Sequence, residues 1–305
     1  MKCRRCEKRA EIELKNHNTA FCRQCFFLYF ERQIKRTIDK YRMFSKDDRI
    51  LVCVSGGKDS LVLLYFLKNA GYNVEALHID LGIDGYSQKS KEKVITFSNN
   101  WKIPLKIVYL SEMGLSIPEI AKKNRRKECS LCGLIKRHFF NRIAFEGDFD
   151  VVATGHNLDD EASRLLGNIL HWRMDFLARQ KPVLPNRSER LKKKVQPLFK
   201  LSEREIAAYA FLKGIDYIIE ECPMSKGATS LKYKEVLSRI EDEMPGTKAS
   251  FLQEFLKVQH IFERSFIQSG GDKKTIYCSI CGFPTFIDPC NFCKLKRANK
   301  GESKS

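Results

Sequence analysis

At 305 residues and a formal net charge of +18, the chain is long enough to bury its own core and carries a cation surplus suited to a polyanionic partner. No apolar run approaches the roughly 20 residues that span a bilayer. Met1-Lys2-Cys3-Arg4-Arg5-Cys6 also lacks the apolar core of a signal peptide, so a membrane role is excluded and the cytoplasm is the expected compartment. Twelve cysteines then point to metal or catalysis, because disulfides rarely persist there.

The first element in chain order is Cys3-x2-Cys6 followed, fifteen residues on, by Cys22-x2-Cys25. Each pair puts two thiolates on one short turn, and two pairs complete a closed tetrahedron around zinc, with rubredoxin-type iron the rarer occupant. Residues 1–28 are expected to form a metal-stapled module, ahead of a catalytic domain over 29–270. That domain opens with the apolar run Ile50–Val54, a turn Ser55-Gly56-Gly57-Lys58-Asp59-Ser60, and the apolar helix pattern Leu61–Leu67. Strand, glycine turn and helix begin a βαβ unit whose free helix N–H groups can cradle a phosphate. The Walker spacing is absent.

Asn73–Asp80 reads as the next strand, Ser87–Trp101 as a helix, Leu105–Leu110 as a third strand and Asp150–His156 as a fourth, with a helix over Asp159–Leu170. Alternating strands and helices predict an α/β fold with a doubly wound parallel sheet. Ligands in such folds sit beyond the carboxyl ends of the strands, where Ser55, Asp80 and His156 fall. Asp159, Asp160 and Glu161 suit a helix start, and also suit the oxygen ligation that a magnesium–phosphate complex needs.

Cys129-x2-Cys132 precedes a helical stretch from Gly133 to Phe145 and could be a redox pair or half a zinc site. Cys53 lies inside the first strand and reads as a buried small hydrophobe; Cys222 lies in the loop Glu221-Cys222-Pro223. Together, Cys129, Cys132 and Cys222 can hold three irons of a cubane cluster and leave the fourth open. After the break at Gly270-Gly271-Asp272, residues 271–305 hold a second paired set, Cys278-x2-Cys281 and Cys290-x2-Cys293, and a basic tail. Basic runs at Lys122–Lys127, Arg187–Lys194 and Lys294–Lys304 are the candidate nucleic-acid contacts.

The six-residue turn resembles the SGGxDS loop of the PP-loop family, whose members cleave ATP between the α- and β-phosphates. With the N-terminal paired CxxC, Cys-Ser-x-Cys-Gly-x-x-Lys-Arg, Gly-His-Asn-Leu-Asp-Asp, Glu-Cys-Pro and the terminal CxxCGxPT ribbon, nearly the whole chain resembles the TtuA-type tRNA 2-thiouridine synthetases. The resemblance implies a Rossmann-like PP-loop fold flanked by zinc ribbons. It also implies ATP and Mg2+ at Ser55–Ser60, His78, Asp80, Gly155 and His156, and a [4Fe–4S] cluster on Cys129, Cys132 and Cys222. Lys136 and Asp160 match residues the family needs for activity. The implied reaction adenylates the C2 oxygen of a tRNA uridine and replaces it by sulfur, with AMP and pyrophosphate as products. The expected partners are tRNA, a ubiquitin-like sulfur carrier with a C-terminal thiocarboxylate, and a second copy of the chain in a homodimer. The T-loop uridine is the preferred target over the wobble position. The rivals are cluster-free persulfide transfer between Cys132 and Cys222, 2-thiocytidine synthesis, and a zinc-dependent RNA-binding module without catalysis.

Overall fold

The computed structural model describes residues 1–123, 127–186, 188–271 and 274–299. Parts of the three basic runs (residues 124–126, Arg187 and 300–304) and Asp272 lie outside the described residues.

Strands β1 (Ile12–Leu14) and β2 (Thr19–Phe21) form an antiparallel pair ahead of helix α1 (Arg23–Lys40). Phe26, Phe30, Ile34 and Ile38 recur every fourth residue along α1 and are at most 1% exposed. Each such side chain contributes about 1.5–3 kcal/mol by burial, so the helix that starts at the N-terminal cysteines is anchored in the main core.

The alternation then runs β3 (Arg49–Cys53), α2 (Lys58–Asn69), β4 (Asn73–Asp80), α3 (Tyr86–Asn100), β5 (Leu105–Tyr109), α4 (Ile117–Lys123), α5 (Glu128–Glu146), β6 (Val151–Thr154) and α6 (Leu158–Leu170). It continues through α7 (Met174–Leu177), β7 (Val183–Leu184), β8 (Lys193–Val195), α8 (Glu203–Lys213), α9 (Thr229–Glu243) and α10 (Thr247–Gln268) to β9 (Ile276–Tyr277), β10 (Pro284–Thr285) and α11 (Asn291–Asn299). The central sheet has the order β5-β4-β3-β6-β8-β7, parallel throughout except for the antiparallel pair β7 and β8. Strand order reverses between β3 and β6, and the turn after β3 opens into that crevice.

Side chains along β3 alternate between the two faces. Ile50, Val52 and Val54 pack with α1, α2 and α8, whereas Leu51 and Cys53 pack with α4, α5 and α11. The C-terminal ribbon belongs to the second core. His138 on α5 stacks on Phe292 with centroids 3.9 Å apart, and Arg190 donates to the Gly282 carbonyl while lying over Tyr277. The Arg187–Lys194 run is therefore partly spent on bracing this ribbon rather than facing solvent.

The four expected strands and the helices after the first and second strands lie within a few residues of their sequence bounds. Two differences matter. The sheet gains β8 and its antiparallel edge partner β7, and α5 starts at Glu128 instead of Gly133, so Cys129 and Cys132 lie on the helix itself. Among the described residues, no helix is long and apolar enough to cross a membrane.

Candidate active site

The turn after β3 is built by close approaches. Gly56 has φ +80°, and a Cβ there would lie 2.7 Å from the Ser90 carbonyl oxygen, so both conformation and space call for glycine. Ser90 Oγ donates to the Ser55 carbonyl at 2.6 Å, and the Ile218 amide donates to the Gly56 carbonyl at 2.9 Å. Ser60 Oγ accepts from the Ser55 amide at 3.1 Å and donates to the Gly57 carbonyl at 3.0 Å, closing the turn onto the first turn of α2. Gly155, after β6, passes so near this turn that a Cβ would come within 2.8 Å of the Ser60 nitrogen.

Asn157 ties the two strand ends together. Its side-chain oxygen caps α6 by accepting from the Asp160 amide at 2.9 Å, its backbone amide donates in return to Asp160 Oδ2 at 3.2 Å, and its side-chain amide donates to Asp59 Oδ1 at 3.1 Å. The sequence reading did not single out Asn157 as a site residue. The capping-box spacing Asn157-x-x-Asp160 was its available signal, although an acidic third residue is a weaker form of that pattern than glutamate.

The three acids at the α6 start separate. Asp159 is buried against Lys248 Nζ at 2.5 Å and the Glu203 amide at 2.7 Å, and Glu161 is held by Arg164 and Gln196. Of the three, Asp160 alone borders the cavity in front of the loop, while Asp159 lines a separate cavity with Glu203 and Lys248, so the triplet does not face one ligand together. Burial works to raise the Asp160 carboxyl, but Lys234 and His156 outweigh it and hold it below the ordinary aspartate value. Asp59 is raised, chiefly by burial, with Lys58 opposing.

Two adjoining cavities meet here. The first, of about 360 Å³, is bordered by Ser55, His78, Cys129, Cys132, Lys136 and Cys222. The second, of about 260 Å³, is bordered by Ser55, Asp59, Ser60, Lys136, His156 and Asp160. Cys53 also borders both, so this buried strand cysteine is part of the cavity wall. Cys129, Cys132 and Lys136 share one face of α5, and the short turn Pro223–Ser225 lays Cys222 over its first turn. His78 is 2% exposed, with Nδ1 3.0 Å from the Val54 carbonyl and Nε2 unpaired, and burial lowers its pKa. His156 Nδ1 lies 2.9 Å from Thr154 Oγ1 and is likewise lowered by burial. Asp80 does not border either cavity: it accepts from the Gly82 amide at 3.1 Å and pairs with Lys91 at 3.0 Å.

Two residues outside every motif, Glu203 and Lys234, knit the charge of the loop to that of Asp160. Lys58 Nζ lies 2.5 Å from Glu203 and 3.4 Å from Asp59, and Lys234 Nζ lies 2.8 Å from Asp160 and 2.9 Å from Glu203.

The two terminal cysteine sets each bring four sulfurs within 4.8 Å of one another. Cys6 and Cys22 stand 3.6 Å apart and Cys281 and Cys290 3.7 Å apart, near the about 3.8 Å separation of a tetrahedron with bonds of about 2.3 Å to zinc. Among the described residues no other group of three possible ligands is this tight. Cys129, Cys132 and Cys222 border one cavity without being gathered as tightly as either terminal set. Burial raises the pKa of Cys129 and Cys222, and Lys136 pulls both back.

A glycine loop at the switch point of a parallel sheet, opening on two cavities, defines an ATP-binding protein of the PP-loop class; the PP-loop domain profile matches residues 28–227. The profile described as "2-thiouridine synthetase TtuA, N-terminal LIM domain" matches residues 2–27. A tRNA-5-methyluridine(54) 2-sulfurtransferase of Pyrococcus horikoshii is 47% identical over 97% of this chain and 93% of its own length. The Thermotoga maritima protein of the same name is 42% identical over 97% and 96%. The U34-tRNA thiolase NcsA of Methanococcus maripaludis, solved with its [4Fe–4S] cluster, superposes with a TM-score of 0.77 at 28% identity, over 85% of this chain and 88% of that one. The chain belongs to the tRNA-5-methyluridine(54) 2-sulfurtransferase family.

Proposed function

We propose that this chain is an ATP-dependent tRNA-uridine 2-sulfurtransferase acting on the T-loop uridine, and that Cys129, Cys132, Lys136, Asp160 and Cys222 are its reacting-centre residues. The observation that carries the reading is the shared wall. Lys136 and Ser55 border both the thiol-lined cavity and the one in front of the loop, so adenylation of the C2 oxygen and sulfur attack on the C2 carbon can occur at one carbonyl group without moving the base.

The uridine C2 oxygen attacks the α-phosphorus of ATP, pyrophosphate leaves, and sulfur then replaces the AMP ester. The loop amides after Gly57 and the Lys58 ammonium face the phosphates and balance their charge. His78, with its unpaired Nε2, is placed for the nucleotide. Asp59 and Asp160 are the oxygen donors available to Mg2+. The [4Fe–4S] cluster, held by the three cysteines, would supply an iron free of protein ligands at which sulfur is presented. Sulfur arrives from a ubiquitin-like carrier with a C-terminal thiocarboxylate, and the active unit is a homodimer.

Anaerobic reaction with tRNA, ATP and a sulfide source tests this. AMP and pyrophosphate should form with tRNA, and nucleoside mass spectrometry of tRNA fragments should place 2-thioribothymidine in the T-loop. ADP and phosphate as products would overturn the mechanism, and sulfur at the wobble uridine would overturn the target.

Each terminal set closes a tetrahedron and leaves no position for substrate, so two structural zinc ions are assigned to Cys3, Cys6, Cys22, Cys25 and to Cys278, Cys281, Cys290, Cys293. Elemental analysis of folded protein should find about two zinc ions per chain. Less than one would sink the assignment. Cys3→Ser should lower the melting temperature and zinc content together while ATP still binds.

A further inference from the structure

The N-termini of α2, α6 and α8 come together in front of the loop: the Leu158 amide donates to the Leu201 carbonyl at 2.9 Å, and the Glu203 amide to Asp159 Oδ2 at 2.7 Å. Glu203, the first residue of α8, gives one carboxylate oxygen to each of two lysines. Oε1 lies 2.5 Å from Lys58 Nζ and Oε2 lies 2.9 Å from Lys234 Nζ. Lys58 belongs to the loop. Lys234 comes from α9, outside every motif, and its other partner is Asp160 at 2.8 Å. An anion that bridges two ammonium groups through two oxygens engages them as a phosphate would.

The position of Lys234 is set by the packing of α9 on α6. Its neighbour Tyr233 presses on Gly167, where a Cβ would come 2.8 Å from the ring, and Tyr233 Oη lies 3.2 Å from His171 Nε2. Side-chain exposure decides which partner yields. Glu203 is 38% exposed, against 17% for Lys58 and 24% for Lys234, so the carboxylate is the member of the bridge that can swing into water.

We propose that Lys234 is a phosphate-binding residue, reaching the departing pyrophosphate beside Lys58, and that Glu203 is the internal carboxylate which the phosphates displace from both lysines. This rests on ATP binding at the loop. Glu203 then favours product release, because its return to the lysines competes with pyrophosphate.

The test is calorimetric binding of inorganic pyrophosphate and of AMP to the full-length, cluster-loaded protein. Lys234→Met should weaken pyrophosphate by at least about tenfold, the loss of one charge-assisted bond, and leave AMP within about twofold. Lys234→Arg should recover most of the affinity, which guards against a variant that merely misfolds. Glu203→Gln should act in the opposite direction and tighten pyrophosphate binding. Equal weakening of AMP and pyrophosphate by Lys234→Met, or no weakening of either, would reduce Lys234 to a brace for α9 and overturn the proposal. So would weaker pyrophosphate binding in Glu203→Gln. If Lys58→Met leaves pyrophosphate binding unchanged, the loop is not the phosphate site. That result removes the ATP reading itself, and this proposal with it.

Discussion

Serine in place of Cys129, Cys132 or Cys222 is expected to abolish tRNA thiolation and the visible absorption of anaerobically purified protein, while both terminal metal sites stay filled. Each of the three borders the same cavity, yet they are not gathered as tightly as the terminal sets. Losing one thiolate from a set of three leaves a cluster with two protein bonds, which does not survive purification. The terminal sites are independent of this loss because their sulfurs are already mutually closed. Iron content, absorption spectrum, zinc content and thiolated nucleoside would be measured on the same preparations. Full thiolation by iron-free, zinc-replete wild type would overturn the cluster and favour persulfide transfer between Cys132 and Cys222. Cys53→Ser is the comparison variant. Burial raises the Cys53 pKa and keeps the thiol neutral, so it should retain the cluster, although its place in the cavity wall allows a lower rate.

The parts of the fold that were legible in the sequence are those with a local period. The β3 turn and α2, the full span of β4, and the α6 helix all carry apolar patterns bounded by glycine, asparagine or acidic residues. The paired cysteines at both ends were legible because thiolate spacing alone closes a tetrahedron. The early start of α5 had a signal that was passed over. Leu131, Ile135, Phe139 and Ile143 recur every fourth residue and are all buried, which carries the helix back through Cys132. Strand β8, between β6 and the edge strand β7, had none: Lys193-Lys194-Val195 reads as part of a charge run, yet Lys194 is buried enough that its pKa falls to about 8. Asp80 ends a strand as a nucleotide ligand would, and in the structure its carboxylate pairs with Lys91. Glu203 and Lys234 each lie outside every motif, and only folding brings them to Lys58 and Asp160.

The second large effect is expected at Lys136. Methionine there should lower the rate of thiolation by about 10²–10³, the scale of removing one preorganised charge from a reacting centre. The cluster spectrum and the affinity for ATP should change much less. Lys136 borders both cavities, on the same face of α5 as Cys129 and Cys132 and one turn beyond Cys132, so it lies between the loop and the thiols. Negative charge shifts near there twice, onto the departing pyrophosphate as the C2 oxygen bonds to the α-phosphorus, and onto that oxygen as it leaves C2 with AMP. A cation that waits at that point stabilises the transition states more than the bound ATP, whose phosphates already have Lys58. It also lowers the pKa of Cys129 and Cys222 against the upward pull of burial. Removing it should therefore move the protonation of any free thiol upward without removing a ligand. The split between turnover and binding is what separates this role from a structural one. Arginine keeps the charge but brings a planar fork into a space shaped for an ammonium, so Lys136→Arg should restore only part of the rate. Lys136→Met with an unchanged rate would overturn the role, as would a loss of iron equal to the loss of rate.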